Sequence, residues 1–147
     1  MRKDQDISVY AVARGVEDGV PWCIAPHPRR GYNGYAQLPP RLRALPVNWD
    51  RYVRVHGGVT YPPDAGGWIG FDTGHLGDVW DVWGLTDRVD PPPDLRVDWT
   101  QDRVIAEARR LAAQVAALAD LIAVVERTPA RRRPRRWVVA PAEDRDG

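Results

Sequence analysis

The sequence predicts an α+β fold, a small and mainly antiparallel sheet of about four to six short strands with one long C-terminal helix packed on one face. Three observations predict it. Short β-branched or alternating runs, punctuated by glycine and proline, fill the N-terminal half. A stretch from Tyr52 to Asp78 reads as a hairpin rich in histidine, aspartate and glycine. A sustained helical period begins near Asp98 and runs to Pro129.

At 147 residues the chain has the length of one domain, assigned to 1–128, followed by an arginine-rich tail at 129–147 that would hold a short terminal strand at most. That length buries a core without disulfides or a structural metal. Cys23 is the only cysteine, so no intrachain disulfide forms and nothing in the chain asks for an oxidising compartment. The net charge of +1 argues against a general electrostatic grip on nucleic acid or membrane. All but one of the 21 basic residues are arginine, Lys3 being the exception; arginine forks suit phosphate and carboxylate, but this excess reads first as the mark of a GC-rich genome. No run has signal-peptide or membrane-span character, and a cytoplasmic setting is expected.

Taken in order, Ile7 to Arg14 is β-branched enough for a first strand, and Val16 to Gly19 forms a turn. Val20 to Ala25 reads as a second strand, with Pro21 confining it to an edge or a strand start. Pro26 and Pro28 hold His27 extended, and Gly31 and Gly34 let the chain turn sharply before a third strand at Tyr35 to Leu38. A helical turn around Leu42 interrupts the following linker. Tyr52 to Tyr61 alternates strongly, with Val53 and Val55 on one face and Tyr52, Arg54 and His56 on the other. Gly57 and Gly58 mark a bulge or a close backbone approach.

Pro62 to Gly66 is a loop of hairpin length, and Gly67 to Asp72 returns as the partner strand. Pairing Tyr61 with Gly67 brings His56 opposite Asp72, about 4.5–5.5 Å away at Cβ. A bulge at the glycine pair would shift that register by one. Val79 to Asp98 is a tryptophan-rich loop carrying Trp80 and Trp83, and its proline run at 91–93 is extended. The helix shows Val104, Ala108, Leu111, Val115, Leu118, Ile122 and Val125 on one stripe, with Asp98 and Gln101 spaced as a capping box. About 28 residues of helix reach about 42 Å, more than a small sheet covers. Its alanines at 112, 113, 116, 117 and 119 would let a second copy pack closely as a homodimer.

The chemistry concentrates in His56, Asp72, His75 and Asp78, with His27, Gly57, Gly58, Trp68 and Tyr61 as further ligand-binding candidates. Three uses fit. Two histidines and a carboxylate make the open first shell of a catalytic zinc or non-haem iron site, so His56, His75, Asp72 and Asp78 could hold a divalent metal. His56 polarised by Asp72 suits acid–base work. The same groups can bind a polar ligand, with Trp68 or Tyr61 as a stacking wall. No HExxH, CxxC pair, P-loop or GxSxG stands in the chain. Plainer readings stand beside these: a half-buried strand histidine satisfied by a neighbour, turn-capping aspartates, and tryptophans (Trp80, Trp83, Trp99) that only pack.

Three segments carry a resemblance: His27-Pro28-x-x-Gly31-x-Asn33-Gly34-Tyr35, then Val55-His56-Gly57-Gly58-Val59-Thr60-Tyr61, then Gly67-Trp68-Ile69-Gly70-Phe71-Asp72-x-x-His75-x-Gly77-Asp78. Together they resemble a family of small uncharacterised bacteriophage and prophage proteins, in which HGGxTY is followed by WxGFDxxHxGD and a helix. The resemblance covers roughly residues 20–126. It implies a phage or prophage origin, a bacterial intracellular setting, and that the His/Asp set belongs together. The tryptophan loop and the arginine-rich tail depart from that pattern.

The leading expectation is a phage-type accessory protein that binds a small polar ligand, a nucleotide or phosphorylated metabolite, at the His/Asp site. One alternative is a metal-dependent hydrolase using the same cluster. Another is a stoichiometric inhibitor of a host protein, in which the tryptophan loop and helix form the interface and the His/Asp set is structural. Nucleic acid is expected to matter only through the tail at Arg131 to Arg136.

Overall fold

The computed structural model describes residues 4–80 and 91–129. Trp83 and the arginine-rich tail with its expected terminal strand lie outside the described residues. Four strands, β1 (Ala13–Glu17), β2 (Val20–Pro26), β3 (Tyr32–Gln37) and β4 (Trp68–Phe71), form an antiparallel sheet in the order β1-β2-β3-β4. A short helix, α1 (Pro40–Arg43), follows β3. Two more strands, β5 (Asp78–Trp80) and β6 (Val97–Trp99), pair in parallel as a separate ribbon. The long helix α2 (Gln101–Arg127) closes the described chain. Among the described residues no helix is long and apolar enough to cross a membrane.

The β1–β2 turn places Asp18 at φ 49° and Gly19 at φ 80°, the left-handed pair that a two-residue hairpin requires. Alternation then sorts the sheet into two faces. Trp22 and Ile24 of β2, Ala36 of β3 and Ile69 and Phe71 of β4 join the main core with Val104, Ala108, Leu111, Ala112 and Val115 of α2. Cys23, Ala25, Tyr35 and Trp68 point the other way, into a smaller cluster covered by Ile7 and Tyr61. Both faces of β2 are therefore dry, which is why that strand reads as a nearly continuous apolar run. Burial of Cys23 raises its thiol pKa to about 12, so it behaves as a packing group.

Small residues set the helix–sheet distance. A Cβ built on Gly34 would stand 2.5 Å from the Phe71 ring and 3.2 Å from Ala108 Cβ. Ala112 and Ala116, expected to serve a second copy, are buried within this chain. Beyond Ala116 no α2 residue is buried, and Leu121, Val124 and Val125 are exposed, as the helix length anticipated.

Several local expectations change. Ile7–Tyr10 is a 3₁₀ turn capped by Asp6, and the first strand starts only at Ala13. The Asp6 carboxylate takes the Ser8 amide and hydroxyl, a local alternative that outcompetes extended pairing. The third strand begins at Tyr32 rather than Tyr35. Thr100, not Asp98, caps α2, its hydroxyl accepting from the Arg103 amide.

The largest correction concerns Tyr52 to Tyr61. The Tyr52–Asp72 hairpin does not form: β4 pairs with β3, and Tyr61 meets Gly70 in an isolated bridge instead of pairing with Gly67. Gln114 of α2 accepts from the Arg54 amide at 2.7 Å and donates to the Arg54 carbonyl at 2.9 Å. Glu107 accepts from the His56 amide at 2.9 Å. Helix side chains thus satisfy backbone groups that a partner strand would have taken. Alternation still governs burial, with Val53 buried and Val55 packed against the core.

Gly34→Ala should destabilise the fold by about 1–3 kcal/mol through overpacking between β3, Phe71 and α2. Urea unfolding of the variant checks this; an unchanged midpoint would show that the helix can retreat freely from the sheet.

Candidate functional site

Four segments meet beside the open end of the sheet: the 54–58 loop, the 72–78 turn, β6 and the 27–31 turn between β2 and β3. Gly57 and Gly58 adopt φ 66° and 81°, and the Gly58 amide donates back to the Val55 carbonyl. These left-handed residues turn the chain and face His56 inward. The Gly57 backbone packs closely against the His75 ring: a Cβ there would fall 2.3 Å from His75 Cε1. Gly58 instead faces Asp50, whose carboxylate accepts from the Val59 amide.

Asp78 is the hub, with its side chain only 1% exposed. His56 Nε2 stands 2.8 Å from Oδ1 and 3.0 Å from Oδ2. Trp99 Nε1 donates to Oδ1 at 2.8 Å, and the His75 amide donates to Oδ2 at 2.9 Å. A carboxylate only accepts, so this contact puts the His56 ring proton on Nε2. The register of β5 and β6, Asp78 beside Val97 and Trp80 beside Trp99, delivers both the acceptor and the indole donor. The His56 ring also stands edge-on to Trp99 at 4.8 Å and to His75 at 5.5 Å between centroids.

His75 is the least satisfied member. Its Nδ1 lies 3.3 Å from Asp72 Oδ1 and 3.4 Å from Asp78 Oδ2, yet is sealed from solvent and makes no properly directed hydrogen bond. Asp72 caps the turn by accepting from the Gly74 amide. Thr73, buried beneath, ties the turn to β3: its amide donates to Asn33, its hydroxyl donates to the Tyr32 carbonyl and accepts from Trp80 Nε1.

Across a cleft of about 460 Å³ from His75 and Asp78 lie His27, Arg29 and Arg30, with Thr73, Gly74 and Trp80 also lining it. His27 Nδ1 accepts from the Arg29 amide at 3.1 Å and the Arg30 amide at 3.4 Å, leaving Nε2 as the ring's donor, pointed at Gly74. Gly31, at φ 68°, completes the turn with its backbone against the Trp80 indole.

The structure therefore brings His56, Asp72, His75 and Asp78 together, with Gly57 against them and His27 across the cleft. The expected His56–Asp72 contact is replaced by His56–Asp78, because the glycine turn removes His56 from any register with β4. Trp68 and Tyr61 stand elsewhere, on the other face of the sheet with Tyr35, and Trp80 is the indole that lines the cleft. Sequence reasoning missed Glu107 and Gln114, which hold the His56 loop, and the second role of Trp99. The available signal was two polar residues flanking the apolar stripe of α2, each beside a fully buried position, Ala108 and Val115.

Burial alone would raise the Glu107 carboxyl. Hydrogen bonds from Arg110 and the His56 amide, with the Arg110 charge, outweigh it and hold the group below its ordinary value. No protein-family model, curated protein or solved structure matches this chain.

A carboxyl whose folded pKa is depressed stabilises the fold above its unfolded value, about 4.3, and that contribution fades as pH falls through the folded value. Glu107→Gln keeps an acceptor for the His56 amide but removes the charge. Its stability, measured by urea unfolding from pH 6 down to pH 3, should be lower than that of the parent at pH 6. The gap should close toward pH 3, and a gap independent of pH would contradict the assignment.

Proposed function

We propose that this chain binds a small phosphate-bearing ligand, of the nucleotide or phosphorylated-metabolite class, in the cleft between the His27–Arg30 turn and the Thr73–Trp80 segment. The observation that carries this reading is the pair Arg29 and Arg30. Both line the cleft, both are exposed, and neither guanidinium has a carboxylate partner among the described residues. Planar guanidiniums match phosphate oxygens with paired hydrogen bonds. At about 460 Å³ the cleft is within the range that holds a small molecule.

The other walls fit the same ligand class. His27 Nε2 supplies a ring N–H donor beside Gly74, and the largely buried Trp80 adds apolar surface to the cleft wall. The turn geometry supports pre-organisation, since the two Arg amides are tied to His27 Nδ1 before any ligand arrives. The Asp78 carboxylate in the cleft wall favours ligands whose phosphate stays beside the arginines. Service as a phage or prophage accessory protein is part of this proposal and rests on the motif resemblance.

Isothermal titration of the full chain with inorganic pyrophosphate and with adenosine and cytidine mono- and diphosphates, in the presence of a chelator, tests the reading. Binding in the micromolar range is expected, weakened at least tenfold in the double variant Arg29→Ala/Arg30→Ala. No heat at millimolar ligand, or equal affinity in the double variant, would overturn it.

A further inference from the structure

We infer that His56, His75 and Asp78 form a binding site for a divalent transition-metal ion on the floor of the cleft. The inference goes beyond phosphate binding at the rim and rests on separate residues and contacts.

Convergence is the first ground. One ligand atom from each of the three residues can be chosen so that all lie within 4.8 Å of one another. An ion with ligands about 2.0–2.1 Å away holds neighbouring ligand atoms roughly 3–3.4 Å apart. With Asp78 Oδ2 as the shared ligand atom, the distances are 3.4 Å to His75 Nδ1 and 3.0 Å to His56 Nε2. Small side-chain rotations close the remaining difference. The His75 side chain is about one-third exposed, on the cleft side.

Unsatisfied polarity is the second ground. His75 Nδ1 is sealed from solvent without a directed hydrogen bond, and two carboxylate oxygens face it at 3.3 and 3.4 Å. Two carboxylate oxygens this close call for a proton or a cation at Nδ1, and the lack of a directed hydrogen bond leaves that position open to an ion. With both imidazoles neutral, Asp72 and Asp78 give this corner a formal charge that a dication balances. Two imidazoles and a carboxylate favour zinc, manganese or iron over magnesium, which prefers oxygen ligands.

The surroundings are those of a metal centre. Each ligand is oriented by a further group: Trp99 Nε1 bonds Asp78 Oδ1, the Glu107 carboxylate holds the His56 backbone, and the Gly57 backbone covers the His75 ring. On binding, the His56 ring changes tautomer, its proton passing from Nε2 to Nδ1 by exchange through water, so that Nε2 is free to ligate and the ring stays neutral. His75 and Asp78 also line the cleft, so a bound ion adjoins whatever the cleft holds.

Equilibrium dialysis of the full chain against zinc, manganese or magnesium alone, without phosphate, followed by elemental analysis, tests the site. About one equivalent of zinc or manganese should be retained, and little magnesium. His75→Ala should retain at least a hundredfold less tightly, and Trp99→Phe about 10–100-fold less, as loss of an orienting partner does. Circular dichroism checks that each variant is folded. Histidine ring NMR of the unaltered protein gives a readout that needs no variant: zinc should move His56 and His75 and leave His27 in place. Absence of retained ion, retention unchanged in folded His75→Ala, or a response from His27 alone would each overturn the site. Because no phosphate is present, its failure leaves the phosphate reading standing, and failure of that reading leaves the metal site standing.

Discussion

The buried carboxylate of Asp78 is the constraint around which the site is built. Its side chain is 1% exposed, and a charge removed from water to that degree must be met by donors at good geometry. The donors come from three separate stretches: the His56 ring from the 54–58 loop, the His75 amide from the following turn, and the Trp99 indole from β6. None of these segments is held in place by main-sheet pairing. One acceptor with several lone pairs does what a strand ladder does elsewhere, fixing the mutual positions of chain segments distant in sequence. Removing one partner of such a buried charge costs about 3–5 kcal/mol.

The long helix completes the arrangement through side chains rather than through its apolar stripe. Gln114 and Glu107 lie two turns apart on α2 and bond the backbone of Arg54 and His56, residues two apart in an extended segment. Two helical turns rise about 10.5 Å, and two extended residues span about 7 Å, so the segment can run roughly along the helix. Satisfying its polar groups this way leaves Val53 and Val55 free to pack inward while His56 turns toward Asp78. The helix therefore serves as both a lid on the sheet and a clamp on the site.

The α+β class, the long helix and the membership of the His/Asp cluster were legible from periodicity and from the crowding of histidine, aspartate and glycine between His56 and Asp78. The hairpin was not. Alternation from Tyr52 to Val55 reports which side chains are buried, and a loop strapped to a helix satisfies it as well as a strand does. The turn conformation of Gly57 and Gly58 decided the outcome, and a glycine pair is compatible with a bulge, a turn or a close approach alike. The His56–Asp78 contact was illegible because it joins the glycine turn at 56–58 to β5, and the pairing of β5 with β6 that adds the Trp99 donor has no local pattern either. Conversely, the stacking wall assigned to Trp68 was misplaced by one alternation of the sheet: Ile69 and Phe71 face the helix, so Trp68 must face away.

The charges of the cleft bind the two functional readings together. Asp72 and Asp78 converge on one nitrogen of His75 at the floor, while Arg29 and Arg30 stand at the rim. Like charges 4 Å apart repel by about 4 kcal/mol at an effective dielectric constant of 20, so a phosphate pressed to the floor would forfeit most of what two guanidiniums offer. An anion alone should therefore sit high, against the arginines. A dication held by His56, His75 and Asp78 would neutralise the negative charge of the floor and remove the repulsion, so the same phosphate could move inward, toward a position shared by guanidinium and metal. Two sites that each bind alone would then bind better together, and by linkage the phosphate would tighten the metal by the factor that the metal tightens the phosphate. The separation of basic rim from acidic floor, set by the β2–β3 turn on one side and the Asp72–Asp78 turn on the other, is what makes such coupling follow from the fold.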